Sequence, residues 1–171
     1  MKKILLLIFV LLFTFSIKAQ DDSNTTHEKT TYYFIRHAEK DKSDATNRNP
    51  KLIRRGKRRA RQWKRYFKRK KLDAIYSTNY KRTLSTAFPT ANNKKLPIIL
   101  YNPRQTDYEA FKKETHGQSI LIVGHSNTTP SFVNAIIGKD KHQSIDETIN
   151  SKLFIVTITN GKVIDQVLDI N

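Results

Sequence analysis

"YYFIRHAEKD", residues 32–41, sets an apolar run directly against an arginine, a histidine and three charged residues. From Thr31 to Ile35 the β-branched and aromatic side chains are continuous rather than alternating, which predicts a strand buried on both faces. Such a strand belongs inside a parallel sheet covered by helices on each side. Its end, where burial stops and Arg36 and His37 are presented together, is the place to look for chemistry.

Working outward, the pattern recurs. "LDAIYS" (72–77), "LPIILY" (96–101) and "SILIVGH" (119–125) read as three further buried strands. Between them lie helical patterns. Leu52, Gly56, Ala60, Trp63 and Phe67 form one apolar stripe in an otherwise basic stretch, and "YKRTLSTAFPTA" (80–91) reads as a helix closing near Pro89. "DYEAFKKET" (107–115) is a short helix, and "TTPSFVNAIIG" (128–138) has Pro130 in its first turn and Gly138 as its stop. "KLFIVTIT" and "KVIDQVLDI", joined by Asn160-Gly161, predict a hairpin with a two-residue turn. The expectation is an α/β three-layer sandwich over residues 31–171, one domain, with a mostly parallel central sheet and an antiparallel edge.

The amino terminus reads differently. Lys2 and Lys3 precede an apolar run from Ile4 to Ile17 that ends in Lys18-Ala19-Gln20, the pattern of a secretory signal peptide over residues 1–19 with cleavage after Ala19. An uncleaved anchor is disfavoured, because a bilayer span needs ~20 apolar residues. The expected location is therefore exported, periplasmic or secreted, and residues 20–30 read as a flexible lead. There is no cysteine, which excludes disulfides, thiolate metal sites and cysteine nucleophiles. The net charge of +17 falls to +14 once Lys2, Lys3 and Lys18 are removed, so anions are attracted.

In open α/β sheets ligands sit beyond the carboxyl ends of the strands. Three such ends carry unusual residues: Arg36-His37, the segment from Ser77 to Arg82, and Gly124-His125-Ser126. Two histidines and two arginines are thus expected at one end of one sheet.

These stretches resemble a known family. "FIRHAEK" is similar to the Arg-His signature of the histidine phosphatase superfamily, whose fold is called phosphoglycerate mutase-like. "STNYKRTLSTA" (77–87) resembles its second signature, and "VGHSNTTP" (123–130) its third. Ala38 stands where that family usually has glycine and Lys40 where threonine is usual, a departure that bears on substrate more than on reaction. The compact length is similar to the short, phosphohistidine-phosphatase-like branch. The resemblance implies a metal-independent phosphomonoester hydrolase with no cofactor, working through a phosphohistidine on His37. Arg36, Arg82 and His125 would hold the phosphoryl group, with Ser126 and Asn127 as phosphate neighbours or helix caps. It also implies an acid after Arg82 that protonates the leaving group, and Asp107 and Glu109 are the two candidates. Both could instead only stabilise a helix start. The chemistry fits independently of the family. Transferring phosphoryl oxygens demand fixed positive charge, and guanidinium forks match them in a bidentate way.

Glu39 could approach the pocket rim or pair in solvent with Lys42. Between Lys51 and Lys71 there are 13 Lys or Arg in 21 residues. That helix could contact an anionic membrane surface or a glycolipid, or be a merely solvated face, whereas the export signal disfavours nucleic acid. The five histidines show no zinc-site spacing, so no metal is expected. The rival functions are a phosphoglycerate-type mutase and a catalytically inactive polyanion-binding module of the same fold.

Overall fold

A computed structural model describes residues 29–171. The segment expected as a signal peptide, residues 1–19, and most of the expected lead fall outside the described residues. Pairing begins at Lys29, two residues before the expected strand start, because Thr30 is buried and its hydroxyl accepts a hydrogen bond from the Gly117 N–H at 2.8 Å.

The elements alternate. β1 (Lys29–Arg36) leads to α1 (Arg54–Phe67), β2 (Ala74–Ser77), α2 (Lys81–Lys94), β3 (Ile98–Leu100), α3 (Tyr108–Glu114), β4 (Ser119–Gly124) and α4 (Thr128–Ile137), and β5 (Lys152–Thr159) and β6 (Lys162–Asp169) close the chain. The single sheet has the order β3-β2-β4-β1-β5-β6. Its first four strands in that order are parallel, and β5 and β6 are antiparallel. Asn160 and Gly161 both take positive φ, 50° and 75°, as a tight hairpin turn requires.

Alternation along the central strands sorts the core into two layers. Tyr32, Phe34, Ile120 and Ile122 face α3 and α4, where Phe111, Phe132 and Ile136 pack on them. Ile35, Leu121 and Val123 face α1 and α2, meeting Trp63, Phe67, Ala87 and Ala91. Both faces of the sheet are covered, which is why β1 and β4 are continuously apolar. The expected three-layer α/β sandwich is what forms.

The α1 stripe is buried as expected, although Leu52 lies before the helix and pairs with Lys40 in an isolated bridge. Gly56 has a steric reason: a Cβ there would come within 2.2 Å of the Glu39 carbonyl oxygen. The helix and the loop after β1 therefore touch backbone to backbone.

Pro89 does not close α2 but lies inside it. Proline in a helix interior costs ~3 kcal/mol, and burial of Ala87, Thr90 and Ala91 on either side of it outweighs that local preference. The helix ends instead at Lys95, in the left-handed region at φ 56°. Among the described residues no helix is long and apolar enough to cross a membrane.

Candidate active site

Register fixes the site. Arg36 pairs with Gly124 and Ser77 with Val123, so β1, β2 and β4 end side by side and the residues after them emerge together. The His37 N–H donates to the Gly124 carbonyl at 3.0 Å and the Thr78 N–H to the Val123 carbonyl at 3.3 Å, extending the ladder by one residue. His37 and His125, 88 positions apart in the chain, have ring centroids 5.5 Å apart.

His37 is 3% exposed. Its Nδ1 lies 2.8 Å from the Ala38 carbonyl oxygen. A carbonyl only accepts, so Nδ1 carries the proton and Nε2 keeps its lone pair. The backbone around it is held as well. The Asn150 amide donates to the His37 carbonyl at 2.8 Å, and the Ala38 N–H donates to the Thr86 hydroxyl at 2.9 Å. Burial lowers the ring pKa to about 3, and Arg36, His125 and Arg82 push the same way. His37 is neutral at any ordinary pH.

Arg36 is buried and gripped by one loop, the connection between α4 and β5. Its Nη1 donates to the carbonyls of Asp146 and Ile149, both at 2.9 Å, and its Nη2 pairs with Glu147 Oε2 at 2.7 Å. Arg82 stacks over the Tyr80 ring at 4.4 Å and reaches His125 Nδ1 at 3.3 Å. The Nε–H of both arginines finds no protein acceptor.

His125 is fixed from its other side. Its Nε2 lies 2.9 Å from the Thr78 hydroxyl, which itself donates to Thr83, while the Thr83 hydroxyl donates to the Thr78 carbonyl at 2.7 Å. That chain makes Nε2 the protonated nitrogen and leaves Nδ1 to accept from Arg82. Burial lowers the His125 pKa to about 4, assisted by Arg82 and Lys40. Gly124 before it is required by packing, because a Cβ would sit 2.7 Å from the Thr129 hydroxyl.

A cleft of about 450 Å3 opens over these groups, walled by His37, Arg82, His125, Lys40, Tyr80 and Glu147 among others. Ser126 and Asn127 also line it. Neither caps α4 through its side chain; the Ser126 hydroxyl donates to Glu147 Oε1 instead.

The two acids expected after Arg82 do not reach the cleft. Asp107 caps α3, accepting from the N–H groups of Glu109 and Ala110, and Glu109 is exposed and pairs with Lys112 at 2.7 Å. The carboxylate that does line it is Glu147. Burial raises its pKa, but the Ser126 hydroxyl and the Arg36 charge outweigh that and hold it below the usual carboxylate range. Glu39 pairs with Arg59 at 2.9 Å and Arg55 at 3.1 Å rather than with Lys42, and lines a neighbouring cleft with Arg36 and His37.

Both histidines and both arginines named from the sequence thus come together at one end of the sheet. Glu147 and Asn150 also meet there and were not named, while Thr78 and Thr86 lie in stretches that the sequence singled out without assigning them a part. Thr86 was legible in principle, since its motif places it one turn after Arg82. Glu147 stands in the aperiodic polar stretch 139–150 and carries no local signal.

Among the described residues no group of three or more His, Asp or Glu is arranged to hold a metal ion. No curated protein matches the chain. Solved structures do. The alpha-ribazole phosphatase from Shigella flexneri aligns at 16% identity and TM-score 0.64, over 81% of this chain and 96% of its own. A phosphoserine phosphatase from Entamoeba histolytica, solved with phosphoserine, aligns at 14% identity and TM-score 0.63, over 80% and 95%. The protein histidine phosphatase SixA, solved with tungstate, aligns at 15% and 0.63, over 81% and 96%. At such identities the likeness is one of fold. The family model described as histidine phosphatase superfamily (branch 1) matches residues 32–102, which hold His37, both arginines and Thr86. His125 lies beyond that span, and the sheet register brings it to the same cleft. Residues 32–102 are thus similar to the histidine phosphatase superfamily (branch 1), and the chain shares its fold with these solved phosphatases.

Proposed function

We propose that this protein hydrolyses phosphomonoesters through a phosphohistidine on His37. One observation carries the reading: a buried, neutral imidazole whose Nδ1–H is tied to a carbonyl, which leaves its Nε2 lone pair free on a ring that lines one cleft with Arg82 and the adjoining cleft with Arg36.

In the first step the Nε2 lone pair attacks phosphorus and the ester P–O bond breaks. The positive charge that develops on the ring is held at Nδ1–H by the Ala38 carbonyl. Arg36 and Arg82 neutralise the equatorial oxygens, each having an Nε–H to offer. An incoming phosphoryl dianion raises the proton affinity of His125, whose Nδ1 then donates to it.

Glu147 is the carboxylate within the cleft. The same dianion displaces it from Arg36 and raises its pKa, so that it takes up a proton from solvent as substrate binds and delivers it to the leaving alkoxide. In the second step it takes a proton from the water that attacks the P–N bond, and phosphate leaves. No cofactor or metal takes part in these steps. The structural neighbours are named for phosphatases of quite different phosphorylated compounds, which accords with a clamp built around the phosphoryl group rather than the leaving group. The signal-like residues 1–19 support a reaction outside the cytoplasm, in the periplasm or the medium.

The test is a phosphomonoester screen with wild type and His37→Ala, in the presence of a chelator, with samples quenched in alkaline detergent and analysed for phosphate on protein. Turnover and an acid-labile, alkali-stable phosphate are expected for wild type and absent for the variant. Turnover that survives in His37→Ala sinks the proposal.

A further inference from the structure

α1 contradicts the local rules for a stable helix. Its first turn contains no acid and carries Arg54, Arg55 and Lys57, which repel the positive end of the helix dipole. Opposite the buried Gly56, Ala60, Trp63 and Phe67 runs an exposed crest of Arg54, Arg58, Arg61 and Arg65, spaced four, three and four apart. Like charges at those spacings destabilise a helix. Glu39 relieves Arg55 and Arg59 only, and among the described residues no ion pair reaches the crest. Between Arg55, Arg58, Arg59, Arg61, Gln62 and Arg65 lies a recess of about 380 Å3. The proposed phosphatase chemistry uses none of the crest.

A second feature stands beside it. α2 packs against α1, and a cleft of about 330 Å3 between them is lined by Lys57, Arg61 and Lys64 together with Phe88. Phe88 is 61% exposed, the most of any large hydrophobic side chain among the described residues. An exposed aromatic ring beside three cations of α1 is matched by an interface that is anionic at its surface and apolar just beneath.

We infer that the α1 crest and Phe88 form a docking surface for an anionic phospholipid bilayer. The cations meet headgroup phosphates and the phenyl ring enters the acyl boundary. A lipid surface fits better than a nucleic acid because a single exposed phenyl ring offers insertion rather than a platform on which successive bases stack. The inference stands independently of the catalytic proposal, since it involves no group of the cleft.

The experiment is co-sedimentation of the described domain plus its lead, residues 20–171, with vesicles of 30% phosphatidylglycerol in phosphatidylcholine. Pure phosphatidylcholine vesicles, single-stranded RNA and polyphosphate serve as competing probes. Each basic residue near an anionic surface contributes roughly fivefold in affinity, so Arg58→Gln/Arg61→Gln/Arg65→Gln is expected to bind about 100-fold more weakly. Phe88→Ser is expected to weaken vesicle binding about tenfold and Phe88→Leu to leave it nearly unchanged, because leucine still inserts. Circular dichroism confirms that the variants fold, and turnover of a small soluble ester is expected to match wild type. Absence of binding to the anionic vesicles overturns the inference. So does Phe88→Leu losing as much as Phe88→Ser, or RNA or polyphosphate outcompeting the vesicles at equal charge.

Discussion

The neutral, buried state of His37 has a consequence for stability that can be measured without any substrate. In the unfolded chain a histidine takes up its proton near pH 6.5, whereas in the native protein burial holds this ring at about 3. Between those values the unfolded state binds more protons than the native one, so stability falls as pH falls. At ~1.4 kcal/mol per pH unit within that window, the loss charged to His37 between pH 7 and pH 4 is about 3 kcal/mol. His37→Asn isolates this contribution, because an asparagine amide can donate to the Ala38 carbonyl in place of Nδ1 yet does not titrate. Urea unfolding followed by the fluorescence of Trp63, which is buried in the α1 layer, gives the free energy at each pH. His125 and the carboxylates contribute to both proteins and cancel. Wild type is expected to lose about 3 kcal/mol more than the variant from pH 7 to pH 4. Curves that run parallel within ~0.5 kcal/mol would refute the claim that this imidazole is buried uncharged, and with it the argument for a ready nucleophile.

Other expectations follow from individual contacts. Glu147→Gln removes proton transfer but keeps the amide near Arg36, so alkyl phosphates are expected to turn over ~100-fold more slowly while p-nitrophenyl phosphate, whose leaving group needs no proton, changes little; equal losses on both esters would end the acid–base role. Thr78→Val removes the hydroxyl that fixes the His125 tautomer, and kcat is expected to fall about tenfold or more with the melting temperature nearly unchanged, as read by steady-state kinetics beside a thermal melt.

How much was legible varied with how local the cause was. The strands announced themselves because β-branched and aromatic runs bury both faces, and the Asn160-Gly161 turn because positive φ favours those residues. Pro89 misled as a helix stop because local preference at one residue is smaller than the packing of Ala87 and Ala91 around it. Asp107 and Glu109 fitted the expected spacing for a proton donor, yet α3 spends one on its own amino terminus and sends the other to Lys112.

The amino-acid order by itself determined the alternating elements, the covered sheet and the four cationic or imidazole groups at its strand ends, since each depends on side chains only a few positions apart. Tertiary structure alone decided that residues 146–150 fold back over β1, so that three acceptors of one polar loop grip Arg36 and the Asn150 amide steadies His37. Those partners are more than 100 positions from the groups they serve. Nothing in a short window of sequence encodes a contact that exists only because a chain returns to the end of a sheet.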